Sequence, residues 1–160
     1  MTYERPTHSA WERVWIPIGA GLFVLALIVS ALVVPQLRPL HFFQALIYVA
    51  VVILARRKSA WGFGAGVTIA IIWNSLNLFV THLMQAGAAE LWLLLRTGHV
   101  RRLDTLMVLL GGVGHFILIV ACLIAFLHLK PGMKQWGKFI AGGVLALGYL
   151  VLIVVTMAPH

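Results

Sequence analysis

The sequence predicts an all-α integral membrane protein: an antiparallel bundle of five transmembrane helices with a short interfacial helix between the third and fourth. Three observations carry that expectation. Of 160 residues, 62% are hydrophobic and only 10% charged, whereas a soluble domain carries about 25% charged residues. Five stretches approach the ~20 apolar residues that a helix needs to cross the hydrocarbon core. The basic residues gather in short clusters between those stretches, as in Arg56-Arg57-Lys58 and Arg101-Arg102. A mean hydropathy of +1.01 leaves too little polar surface to cover a water-soluble globule, so lipid is the solvent for most of the chain.

The expected spans are residues 15–34, 40–55, 61–84, 105–129 and 137–157, all within one transmembrane domain over 1–160. Pro35 closes the first. The second is short, and the Arg56-Arg57-Lys58 cluster extends it by snorkelling to the surface. The first span exceeds a secretion-signal core and lacks a small-x-small cleavage pattern, so it reads as a retained helix. Asp104 stands where an N-cap of the fourth span belongs, and Pro131-Gly132 breaks the chain after it. Residues 86–96 are too few to cross and carry charge at both ends. They read as a helix in the interface, with Trp92 at headgroup level, or as an extension of the third span.

Lys and Arg counts set the orientation. Eight of the 12 fall in the N-terminus, the second loop and the fourth loop, and four in the remaining segments. By the positive-inside rule, the N-terminus is cytoplasmic and His160 lies outside. Size and compactness suggest a prokaryotic cytoplasmic (inner) membrane. The net charge of +8 belongs to membrane-surface loops rather than to nucleic acid, because no aromatic-and-basic surface accompanies it. The lone Cys122 excludes an intramolecular disulfide and a thiolate cluster.

Polar side chains inside spans are costly, so the face they occupy is informative. At about 100° per residue, His41, Gln44 and Tyr48 share one face of the second helix. Asn74, Asn77, Thr81 and Gln85 share a face of the third. Asp104, Gly111, His115 and Cys122 share one on the fourth, and Lys138, Gly142, Tyr149 and Thr156 one on the fifth. Four such stripes predict a common polar interior, wettest at the outer end and finishing at His115, about 15 Å down its helix. Gly62-x-x-x-Gly66, Ala26-x-x-x-Ser30 and Gly137-x-x-x-Ala141 predict close helix approach.

No carboxylate falls inside an expected span, which argues against carboxylate-dependent ion pumping, di-iron chemistry and paired-carboxylate hydrolysis. Ser30 and Ser75 lack a positioned base, and no nucleophile elbow or metalloprotease motif occurs. The chain therefore reads as a non-enzymatic accessory subunit or assembly factor, with the bilayer, other membrane subunits or a second copy as partners. The alternative is a b-type haem or quinone-like cofactor held in an outer-facing pocket by His41, His82, His115, Gln44, Asn74, Asn77, Tyr48 and Tyr149. In that version His41 and His82 ligate one iron, with Arg38 near the propionates. A histidine metal site from His41, His82, His99 and His160, and a small transporter or channel, are further alternatives. In size and span number the chain resembles the tryptophan-rich sensory protein family. The short first loop, Pro35-Gln36-Leu37-Arg38-Pro39, and the isolated Trp73-Asn74 carry no motif of that family across.

Overall fold

The computed structural model describes residues 11–157, and among them there is no β-strand. Helix α1 (Ile16–Val33) is preceded by a π-helical segment, Trp11–Trp15. A 3-10 turn, Pro35–Leu37, leads into α2 (Arg38–Arg56). Helix α3 (Ala60–Ser75) runs on as a π-helical segment, Leu76–Val80, and α4 (Leu83–Thr97), α5 (Leu103–His128) and α6 (Met133–Met157) follow. Among the described residues, five segments are long and apolar enough to cross a membrane: Trp11–Val33, Pro35–Arg56, Ala60–Val80, Leu103–His128 and Met133–Met157. Helix α4, with 15 residues, reaches only about 22 Å and falls short of a ~30 Å hydrocarbon core.

Several boundaries differ from expectation, each for a physical reason. The third apolar stretch stops at Val80 rather than residue 84, because the chain turns at Thr81 and His82, where His82 takes a left-handed φ of 55°. A non-glycine residue there costs roughly 1–2 kcal/mol. Gln85 helps hold the turn, its side-chain amide donating to the Leu78 carbonyl (2.7 Å). Asp104 is not the N-cap of α5: Arg102 occupies that position without a side-chain cap, and Asp104 lies in the first turn. Its charge still faces the positive end of the helix dipole. Helix α6 starts at Met133, where the Gly132 carbonyl accepts from Gln135 N (2.8 Å) and Trp136 N (3.2 Å). Glu12, expected in a polar tail, is 3% exposed within the first membrane-length segment. Two membrane-length segments thus carry a carboxylate near one end: Asp104 at the helix terminus that the sequence suggests, and Glu12 inside a segment rather than in the tail expected for it.

Backbone proximity organises the packing. Helix α5 touches α1, α3 and α4, and α3 touches α2, α5 and α6. At the α1–α5 crossing two glycines face each other. A Cβ on Gly19 would lie 2.8 Å from the Gly114 carbonyl oxygen, and one on Gly114 would lie 2.7 Å from that of Gly19. At the α3–α6 crossing a Cβ on Gly64 would overlap the Phe139 carbonyl, and one on Gly142 the Trp61 carbonyl. In lipid no hydrophobic drive pulls helices together, so such close packing is what holds them. Gly62 and Gly66 of the expected motif also sit at contacts, on α2 and on Cys122, but Gly137 faces open space. Phe23, Phe63, Leu118, Cys122 and Phe126 fill the core between these crossings.

Gly64→Ala is expected to lower the melting temperature of the detergent-solubilised protein, by a free energy of about 1–3 kcal/mol for overpacking. Gly148→Ala, which meets nothing within 4 Å, should leave it unchanged or raise it. Equal melting curves for the two variants would show that the α3–α6 crossing is looser than described.

Candidate functional site

The polar stripes meet at two levels. At the deeper level His115 of α5 is completely buried. Its Nε2 accepts from the Tyr48 hydroxyl of α2 at 2.6 Å, and its Nδ1 donates to Asn74 Oδ1 of α3 at 3.3 Å. The Asn74 amide then donates to the Gly112 carbonyl at 3.4 Å. Because Asn Oδ1 only accepts, Nδ1 carries the imidazole proton and Nε2 is left to accept, so each group uses its available role. Aromatic rings enclose the imidazole. Phe23 of α1 stacks on it at 4.0 Å between centroids and 28° between planes, and Trp73 of α3 meets it edge-on at 4.9 Å.

Above those two rings lies a cavity of about 280 Å³. It sits where α1 and the π-helical end of α3 finish and where α2, α4 and α5 begin. Phe23 and Trp73 form its floor. His41 and Gln44 of α2, Asn77, Ser30 of α1, and Arg102, Asp104 and Thr105 around the start of α5 give it polar walls. The π-helical segment bears directly on this wall. Thr81 N bonds to the Leu76 carbonyl five residues back (2.9 Å), and the Asn77 amide donates to the Trp73 carbonyl (2.9 Å). Single wide turns of this kind recur at functional sites. Arg102 and Asp104 pair at 3.0 Å, which raises the pKa of the exposed guanidinium. The two charges offset one another at the cavity rim.

Among the described residues, two buried side-chain polar atoms lack a hydrogen-bond partner: His41 Nδ1 and Thr105 Oγ1. Both belong to side chains lining this cavity. Thr105 is 2% exposed, and His41 is half-buried. An unpartnered buried polar atom costs about 1–3 kcal/mol.

No protein family, curated protein or solved structure matches this chain. The reading therefore rests on the site itself.

The sequence-derived residues divide between the two levels. His41, Gln44 and Asn77 line the cavity, while His115, Tyr48 and Asn74 form the relay beneath it and are shielded by Phe23 and Trp73. Tyr149 joins neither: its hydroxyl donates to the Phe43 carbonyl (2.9 Å), tying α6 to α2. His82 is exposed in the turn before α4 and does not line the cavity with His41. The expected iron-ligating pair is thus not brought together, and both nitrogens of His115 are engaged. Arg38 is committed in part to the Ala31 carbonyl (3.1 Å). Among the described residues no group of three or more His, Cys, Asp or Glu is placed to hold a metal, and His160 lies outside them. Thr105, Arg102, Phe23 and Trp73 are the site residues that sequence reasoning missed. Thr105 adjoins a residue already on the α5 stripe, and Trp73 adjoins Asn74.

Tyr48→Phe leaves the His115 acceptor unpaired and should cost about 1–3 kcal/mol in reversible unfolding from detergent. A double-mutant cycle with His115→Phe should give a coupling of at least about 0.6 kcal/mol, the mean for interhelical hydrogen bonds in membranes. Additive single effects would mean that the relay holds nothing together.

Proposed function

We propose that this chain is a non-enzymatic integral membrane protein, an accessory factor that holds a small neutral ligand in the polar cavity at one end of its bundle. The observation that carries this reading is the coincidence of the two orphaned buried atoms, His41 Nδ1 and Thr105 Oγ1, in side chains of one cavity. A ligand carbonyl or hydroxyl supplies the partners that these groups lack. The Arg102–Asp104 pairing leaves the rim without an uncompensated charge, which favours a neutral head over a phosphate or carboxylate. A quinone-like ring fits that description: flat, apolar in body, with hydrogen-bonding oxygens at its edge, lying over Phe23 and Trp73.

The closed floor favours a binding site over a conduit. Below Phe23 and Trp73 come a fully buried histidine and a packed core, where the hollow between Tyr48, Trp73 and Tyr149 holds only about 10 Å³.

The contacts support an antiparallel bundle in this proposal. Gly66 and Asn74 of α3 meet Cys122 and Gly112 of α5, and Gly19 and Phe23 of α1 meet Gly114 and Gly111. Both pairings run in opposite sequence senses. Helix α4 follows α5 in the same manner: Gly87 abuts Thr105 and Leu109, and Glu90 Oε2 accepts from Arg101 N (3.0 Å) and Arg102 N (3.3 Å). We read α4 as a partial span that continues the direction of α3 to the interface, the second of the two sequence expectations. With the charge bias of the loops, the cavity opens to the outer face of a prokaryotic cytoplasmic membrane and the N-terminus is cytoplasmic.

The test uses 2,3-dimethoxy-5-methyl-1,4-benzoquinone, a neutral head without a chain, titrated into nanodisc-held protein while tryptophan fluorescence is followed. Saturable quenching is expected, with its amplitude largely lost in Trp73→Phe. Thr105→Val should weaken the affinity about 5- to 10-fold, the effect of a lost hydrogen bond of ~1–1.5 kcal/mol. Quenching that is linear in quinone, or unaltered by Trp73→Phe, would defeat the proposal.

A further inference from the structure

Outside the bundle, α1 and α2 enclose a second, almost wholly apolar hollow of about 380 Å³ that faces the lipid. Ile28 and Leu32 of α1 and Phe42 and Ala45 of α2 form its sides, with Arg38 at one end. Two of its lining residues, Leu27 and His41, also line the polar cavity. Leu27 and His41 are therefore the wall between a polar chamber inside the bundle and an apolar groove on its surface.

That wall is two side chains. His41 is only half-buried, and its Nδ1 has no hydrogen-bond partner. Leu27 contributes an aliphatic side chain. The polar cavity alone falls just short of the roughly 300–1,000 Å³ usual for a small-molecule site, and the groove alone sits near the lower end of that range. Joined across this wall, they lie well inside it.

We infer that the ligand is an amphipathic lipophile: its neutral head occupies the polar cavity, and its alkyl or isoprenoid chain passes between Leu27 and His41 into the α1–α2 groove. The inference rests on the cavity being a binding site, and it specifies which class of molecule binds and how it arrives. A ligand of this shape reaches its site sideways from the bilayer, where it is already dissolved, and its chain stays in contact with lipid. Arg38, anchored to the Ala31 carbonyl, marks the depth at which the groove ends. His41 is the hinge of the passage, because the same ring that turns to let the head through then offers Nδ1 to it. The groove takes a flexible chain rather than a second helix, since it lies between two successive spans joined by the short Pro35–Leu37 turn, and Phe42 stands at its edge with 62% of its surface exposed.

The experiment is photo-crosslinking in nanodiscs with a decyl-substituted 1,4-benzoquinone that carries a diazirine midway along its chain, mapped by peptide mass spectrometry. Adducts are expected on α1 and α2 around Ile28, Leu32, Phe42 and Ala45, reduced at least fivefold by excess decyl quinone without the diazirine. Ala45→Trp, which fills the groove, should cut the adduct yield at least fivefold while leaving the affinity for the chainless quinone within about twofold. If the chainless quinone binds saturably but adducts scatter evenly over lipid-facing helices, or Ala45→Trp changes nothing, the lateral route is wrong and the cavity stands. If the chainless quinone fails to bind and no adduct is competed, both fall.

Discussion

The arrangement of the bundle turns on one buried imidazole. His115 sits in an interior that offers no water, where an unsatisfied polar group is expensive. Its two nitrogens therefore need partners from neighbouring helices, and they find them in Tyr48 of α2 and Asn74 of α3. These two hydrogen bonds, with the Phe23 ring of α1 stacked on the imidazole, tie the rotation and depth of four helices to one point. Apolar side chains alone do not specify such a register in lipid, because one apolar face is as well solvated there as another. The polar contacts contribute modest energy and much of the specificity, while the glycine crossings supply the close approach that makes them geometrically possible. Gly111 and Gly114 precede His115 within about one turn of α5 and bring α1 near enough for Phe23 to reach it.

Much of this plan was readable in the residues. The five spans follow from length and apolarity, and the stripes from helical period. The stripes put His115, Asn74 and Tyr48 each on an inward face. What the sequence did not show was who bonds to whom. Three polar residues at one depth on three helices fit a ligand site as well as they fit one another, and only the crossing angles decide. The same ambiguity placed Tyr149 among the site residues, although its hydroxyl satisfies a backbone carbonyl on α2. His82 was misplaced for a different reason. It was read as the end of a continuous helix, but the chain leaves helical geometry just before it with no glycine or proline to signal the break. The tightest helix contacts at Gly19 and Gly64 are also hidden in the sequence, and Gly142 shows there only as a stripe residue, not as a contact. Spacing motifs find small residues four apart on one helix, whereas these contacts pair a small residue with a neighbour's backbone.

The separation of the polar set into a sealed relay and an open cavity follows from where the aromatic rings fall. Phe23 and Trp73 meet at 5.0 Å, nearly perpendicular, and close the space over His115. Below them every polar atom of the relay has a partner; above them, two do not. Among the described residues these are the two unpartnered buried side-chain polar atoms, and such groups in one cavity wall mark where the sequence departs from what folding alone favours. The π-helical segment fits the same logic. Continuing α3 as a regular helix would keep its backbone bonds uniform, whereas the wide turn places Asn77 in the cavity wall, with its amide returned to the Trp73 carbonyl.

The position of the cavity, finally, constrains what can use it. Its floor is closed, its rim carries a balanced charge pair, and one wall is a histidine and a leucine backed by an apolar, lipid-facing groove. A water-soluble ion finds at the rim a paired Arg102 and Asp104 rather than a lone charge. A purely apolar molecule gains nothing from leaving the bilayer for a chamber with polar walls, because lipid already solvates it. A molecule with a polar head on an apolar chain gains hydrogen bonds for the head while the chain exchanges one apolar surface for another. Under the function proposed above, the walls suit a solute whose two ends want the two environments that Leu27 and His41 divide.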